Sequence, residues 1–143
     1  MTLQKALHQA VKEGYPLCAP PGSRTILVAE DEPGLRSLLC DIMRLYGHTV
    51  LLAGDGRTAV NLALEHRYPI DLVITNVIMP GLTGPQTVAK VTTIHPGAKA
   101  LFISAYKQQE LEEKMLIPPN VSFLRKPFSI EDLSQQAREL LAA

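Results

Sequence analysis

The sequence predicts an α/β fold: a five-stranded parallel sheet, strand order 2-1-3-4-5, with helices on both faces. Three observations lead there. Short and nearly unbroken apolar runs, such as Ile26-Leu-Val-Ala29 and Leu72-Val-Ile74, suit strands buried on both faces, as parallel sheets require. Between these runs lie stretches whose apolar residues recur at helical spacing, so strand and helix alternate five times. Right-handed crossovers with a single reversal of direction then give that strand order.

The elements follow in order. Thr25 to Ala29 is the first strand, and it delivers Glu30 and Asp31 at its carboxyl end. Pro33 suits the first turn of a helix marked by Leu35, Leu38, Leu39, Ile42, Met43 and Tyr46, and Gly47 is placed to end it. His48 to Ala53 is the second strand. After the Gly54-Asp55-Gly56 turn, Ala59, Val60, Ala63 and Leu64 mark the second helix. Asp71 to Asn76 is the third strand, left through a loop because Pro80, Gly81 and Gly84 forbid an immediate helix. Pro85 to His95 is the third helix, closed by His95-Pro96-Gly97. Ala98 to Ser104 is the fourth strand, and Gln108 to Leu116 a short charged helix ended by Ile117-Pro-Pro-Asn120. Val121 to Arg125 is the fifth strand, followed by Lys126-Pro127-Phe128. Ser129-Ile-Glu-Asp132 has the form of a capping box that opens a last helix through Leu133, Ala137, Leu140 and Leu141.

These elements fill residues 25–143, which are read as one domain; a chain of 143 residues is too short for a second. Residues 1–24 are an extension. Leu3, Leu7, Ala10 and Val11 suggest an amphipathic helix over 2–13, and Pro16, Pro20 and Pro21 a linker up to Gly22. Two readings stay open: a vector-derived scar or loosely lying helix, and a docking helix or one that makes a homodimer.

Fourteen basic residues balance 14 acidic ones, which gives no electrostatic case for nucleic acid or a membrane surface as partner. No apolar run approaches a membrane span and no signal peptide opens the chain, so a cytoplasmic location is expected. Cys18 and Cys40 have no metal-ligand spacing and read as ordinary thiols.

Strands one, three, four and five end on one edge of such a sheet, the edge where open α/β sheets keep their sites. Their terminal polar residues therefore converge: Glu30 and Asp31, Asn76, Ser104, and Lys126. Each alone has a bland reading. A strand-end Asp is usually a helix cap, a Ser a loop hydroxyl, a Lys a solvated charge. Their joint placement, in order and each at a strand end, points to a site.

Four stretches carry a resemblance that covers residues 25–141: Ile26-Leu-Val-Ala-Glu-Asp-Glu-Pro33, Asp71-Leu-Val-Ile-Thr-Asn-Val-Ile-Met-Pro-Gly-Leu-Thr-Gly84, Phe102-Ile-Ser-Ala-Tyr106 and Phe123-Leu-Arg-Lys-Pro-Phe128. In this order they resemble response-regulator receiver domains, a two-component signalling family with a flavodoxin-like fold. The resemblance implies that Glu30 and Asp31 hold a magnesium ion, Asp31 as direct ligand, with the Asn76 side chain and Ile78 carbonyl as the other protein ligands. It implies that Ser104 binds a phosphoryl oxygen, that Lys126 neutralises the site, and that the Phe123 rotamer reports activation. It further implies a cis Lys126–Pro127 bond, a histidine kinase or phosphotransfer protein as partner, and a downstream output protein. In form, Met115 to Phe128 resembles receivers attached to hybrid histidine kinases. The family's phosphoacceptor is an aspartate, and here that position reads Asn76.

The chemistry accounts for the residue types. Phosphoryl transfer is mostly positioning and charge neutralisation, which a hard cation, a lysine and a hydroxyl supply. The nucleophile has to be a carboxylate oxygen that forms an acyl phosphate. An amide oxygen is neutral and cannot make that product. Asn76 is thus expected to be inert, and magnesium to bind weakly without the third carboxylate. Two explanations stay open: an engineered substitution, or a natural atypical receiver working as a phosphorylation-independent interaction module. The chain is read as a non-enzyme. A flavodoxin-like cofactor binder is the alternative from another class, but no glycine-rich phosphate cradle follows the first strand. A DNA-binding regulator is disfavoured because no helix-turn-helix follows in the sequence.

Overall fold

The computed structural model describes residues 23–143; the expected helix at 2–13, the linker after it and Cys18 lie outside the described residues. Five strands alternate with five helices: β1 (Thr25–Ala29), α1 (Pro33–Leu45), β2 (Thr49–Ala53), α2 (Gly56–Glu65), β3 (Leu72–Asn76), α3 (Gly84–Ile94), β4 (Lys99–Ser104), α4 (Gln108–Glu113), β5 (Phe123–Arg125) and α5 (Ile130–Ala142). The sheet runs β2-β1-β3-β4-β5 and every pairing is parallel, so the expected order and direction both hold.

Alternate side chains of each central strand go to opposite faces. Ile26 and Val28, Leu72 and Ile74, and Leu101 and Ile103 meet Leu39, Ile42 and Met43 of α1 and Leu133 and Ala137 of α5. Leu27, Ala29 and Val73 meet Ala59 and Ala63 of α2 and Val91 of α3 on the other face. A third cluster joins Phe102 to Leu111 of α4, with Val77, Ile117 and half-buried Phe123. Burial on both faces is why β1, β3 and β4 read as apolar runs rather than alternating ones. Cys40 is buried in the first cluster, and burial pushes its thiol up.

Several boundaries differ from the sequence reading. The second strand starts at Thr49 and the fourth at Lys99, one residue late in each case. Helix α3 begins at Gly84 and ends at Ile94, because Thr83 caps it: its hydroxyl accepts from the Gln86 N–H and the Gln86 side chain accepts from the Thr83 N–H. Helix α4 ends at Glu113 rather than Leu116. Met115 takes a left-handed backbone, φ 58°, which no helix continues through, and its side chain is 90% exposed. The fifth strand pairs only from Phe123, not Val121. At α5, the Ser129 hydroxyl accepts from the Asp132 N–H, the cap's expected first half. Gly47 ends α1 as expected, at φ 86°.

Candidate functional site

At the carboxyl edge the first residue past β1 is Glu30. Its backbone is held from two sides: its N–H donates to the Ala53 carbonyl at 3.1 Å, and Arg36 Nη1 donates to its carbonyl at 3.0 Å. The side chain is fully buried, and Oε1 accepts from Lys126 Nζ at 2.6 Å. Glu30 Oε2 is buried with no hydrogen-bond partner. Burial pushes the Glu30 carboxyl above its ordinary 4.5, and the Lys126 ammonium opposes but does not cancel that rise.

Lys126 reaches Glu30 because β5 places it beside the end of β4. Its N–H donates to the Ser104 carbonyl at 2.8 Å, and the peptide bond to Pro127 is cis, as the sequence resemblance implied. Ser104 is buried, and its Oγ accepts from the Tyr106 N–H at 3.1 Å. Phe123, three residues before Lys126, pairs with Phe102 in the sheet.

Asn76 is the last residue of β3, paired with Ile103. The chain leaves it along a defined path: the Val77 N–H donates to the Ile103 carbonyl at 3.0 Å, and the Gly84 N–H to the Val77 carbonyl at 2.8 Å. Gly84 has to be glycine here, since an added Cβ would collide with the Asn76 carbonyl oxygen. The Asn76 side-chain nitrogen donates twice, to Asp31 Oδ1 at 2.9 Å and to the Ile78 carbonyl at 3.2 Å. For Asp31, burial raises the carboxyl, but hydrogen bonds from Asn76 and shared with Glu30 outweigh it, and the net shift is below 3.8.

The structure thus brings Glu30 to Lys126, and Asn76 to Asp31 and Ile78, along one edge, with Ser104 on the adjoining strand end. Oxygen atoms of Glu30, Asp31 and the Ile78 carbonyl are hard donors that would suit a small divalent cation, and the orphaned Glu30 Oε2 is the clearest gap for one. The carboxamide presents N–H rather than oxygen to this set. Among the described residues no three of His, Cys, Asp and Glu cluster as metal ligands. Sequence reasoning missed the Arg36 and Ala53 contacts that fix Glu30, the cap at Thr83, and the direction of the Asn76 amide. Only the second carried a sequence signal, a Thr three residues before a Gln at a helix start.

The chain matches the response regulator receiver domain over residues 26–138, and it belongs to that family. It is 31% identical over 120 residues to the sensor kinase CckA of Brucella abortus, covering 84% of this chain but 13% of that kinase. It is 28% identical to the response regulator receiver protein CpdR of the same organism, covering 84% of this chain and 98% of CpdR. The two relatives therefore differ in how much of their length this chain spans. Among solved structures, the receiver domain of the hybrid histidine kinase CckA superposes with a TM-score of 0.69 at 36% identity, covering 82% of this chain and 98% of that one. The response regulator TrrA of Thermotoga maritima, in complex with Mg2+ and BeF, gives a TM-score of 0.70 at 26% identity, covering 82% and 99%. Membership of this two-component signalling family removes the flavodoxin-like cofactor-binder alternative. No helix among the described residues is long and apolar enough to cross a membrane.

Proposed function

We propose that this chain is a receiver domain in which Asn76 stands at the phosphoacceptor position, so that the domain carries a signalling surface but accepts no stable phosphoryl group. The observation that carries the reading is the place of Asn76: the carboxyl end of the central strand, hydrogen-bonded to Asp31 and Ile78, on the edge shared by Lys126 and Ser104. A carboxylate there would attack phosphorus; a carboxamide does not.

In this reading Glu30, Asp31 and the Ile78 carbonyl would hold a magnesium ion, with Asn76 contributing oxygen only after its amide turns over. The ion would supply charge neutralisation toward a phosphoryl group, as the Mg2+–BeF complex of TrrA suggests by analogy. Lys126 holds Glu30 in place and adds a fixed positive charge. Ser104 offers a hydroxyl donor toward the same edge, and Phe123, opposite Phe102 on the neighbouring strand, is the aromatic that would follow Ser104. Residues 25–143 form the receiver, and residues 1–24 are an extension to it. A histidine kinase or phosphotransfer protein is the proposed partner, with a downstream output protein reading the face formed by α4, β5 and α5. The domain is not itself an enzyme, and its proposed compartment is the cytoplasm.

The Asn76 side-chain nitrogen donates to both Asp31 Oδ1 and the Ile78 carbonyl, and an engineered and a natural asparagine would make these contacts alike. Beryllofluoride with magnesium tests the reading, because this anion mimics a phosphoryl group only on a carboxylate. In 1H–15N NMR, shifts around Ser104 and Phe123 are expected to stay still in the unmodified chain and to move in Asn76→Asp. Equal movement in both proteins would contradict the assignment of position 76.

A further inference from the structure

The two N–H groups of the Asn76 carboxamide point at two oxygens that a divalent ion would otherwise draw together. Nδ2 lies 2.9 Å from Asp31 Oδ1 and 3.2 Å from the Ile78 carbonyl oxygen. We propose that the Asn76 amide is a resident stand-in for the divalent ion: it bridges Asp31 and Ile78, holds the ion-free site in order, and has to give up both hydrogen bonds before magnesium binds, so that its net effect opposes the ion. This rests on the reading above that the ion belongs at Asp31 and Ile78.

The direction of the amide follows from its surroundings. An ionised carboxylate and a peptide carbonyl are acceptors without hydrogens, so only the nitrogen side of the carboxamide can satisfy both. One of the two bonds is charge-assisted, from an N–H to a carboxylate. Turning the amide over would set its oxygen against Asp31 Oδ1 and the Ile78 carbonyl, three acceptors facing one another with no hydrogen between them. Asn76 can therefore turn its oxygen inward only as a cation arrives. Position 76 then has three distinct states. Asp presents another negative oxygen and calls for an ion, Asn supplies its own donor and resists one, and Ala does neither. The Glu30 half of the site is separately anchored by Lys126. What the amide satisfies is Asp31 and Ile78, while Glu30 Oε2 stays without a partner.

The proposal reverses the order expected of a weak ligand. If Asn76 were a ligand, removing it would weaken magnesium binding. If it is a competitor, Asn76→Ala binds magnesium more tightly than the unmodified chain, by about tenfold, the worth of one charged hydrogen bond the ion no longer displaces. Isothermal titration with magnesium chloride on the full chain, Asn76→Ala, Asn76→Asp and Asp31→Asn reads this directly. The expected order of affinity is Asn76→Asp, then Asn76→Ala, then the unmodified chain, with Asp31→Asn lowest. Asn76→Ala equal to or weaker than the unmodified chain overturns the stand-in while leaving the ion site intact. No difference between Asp31→Asn and the unmodified chain overturns the ion site itself, and the stand-in with it.

A second measurement needs no variant at position 76. In the unmodified chain the Asn76 side-chain NH2 resonances are expected to shift on magnesium addition as their hydrogen bonds are lost, together with the Ile78–Met79 amide. Binding of magnesium that moves Asp31 but leaves the Asn76 NH2 pair untouched overturns the proposal.

Discussion

Glu30 and Asp31 are neighbours in sequence, yet their carboxyl groups are driven in opposite directions. Glu30 is buried and its folded pKa lies above 4.5; Asp31 sits outside with the Asn76 N–H, and its folded pKa lies below 3.8. For Glu30 the raised value means that its favourable contribution to folding is present below 4.5 and lost as pH rises through the folded value. For Asp31 the lowered value means stability present above 3.8 and lost as pH falls through the folded value. A proton entering the site therefore goes to Glu30 first. Side-chain carboxyl NMR over acid pH should show Glu30 titrating above Asp31, and the Asp31 midpoint rising in Asn76→Ala. The reverse order would contradict the burial and bonding assigned to the pair. Lys126 is the counterpart of this arrangement. Lys126→Met leaves a buried carboxylate unpaired, and an expected loss of ~2 kcal/mol, below the figure for a fully enclosed pair, should appear in urea unfolding near neutral pH. The loss should shrink in acid, where Glu30 takes up its proton.

Among the elements, α3 has the closest bearing on the site. Its first residue, Gly84, packs against the backbone of Asn76, and Thr83 and Gln86 cap the same turn. Gly84→Ala must push the helix start or the strand end aside, with an expected cost of ~1–3 kcal/mol by thermal or urea melts. It should also disturb the Asn76 NH2 resonances, whereas Thr83→Ala should cost ~1 kcal/mol through the lost cap and leave them in place. The strands of the sheet and the residues at their ends were legible in the sequence because apolar runs and strand-end polar residues are set by local pattern. The start of α3 was read one residue late, at Pro85, because Gly84 reads as a breaker, whereas the Thr83 cap lets it open the helix. The end of α4 was hidden for a different reason: the left-handed turn falls on Met115, a residue type that carries no signal for that conformation. The strand ends gave Glu30, Asp31, Asn76, Ser104 and Lys126. They could not give which atom of Asn76 faces inward, because an amide direction depends on acceptors from two other segments.

Over the whole molecule, the three apolar clusters that hold the sheet between its helices draw on residues from Ile26 to Leu141. Residues 1–22 are proposed to be an extension to this domain, and on that reading their deletion is expected to shift the melting midpoint by less than ~4 °C, the equivalent of about 1 kcal/mol in a domain of this size. A larger loss would show that the extension is part of the fold. The five strand ends lie on one edge because the sheet is wholly parallel, and the function proposed above rests on one residue of that edge, Asn76, deciding whether the domain can be phosphorylated. The most direct measurement of this claim is intact mass after incubation with acetyl phosphate and magnesium. The unmodified chain is expected to keep its mass while Asn76→Asp gains one phosphoryl group that hydroxylamine removes. A hydroxylamine-labile phosphoryl group on the unmodified chain, or none on Asn76→Asp, would contradict the account.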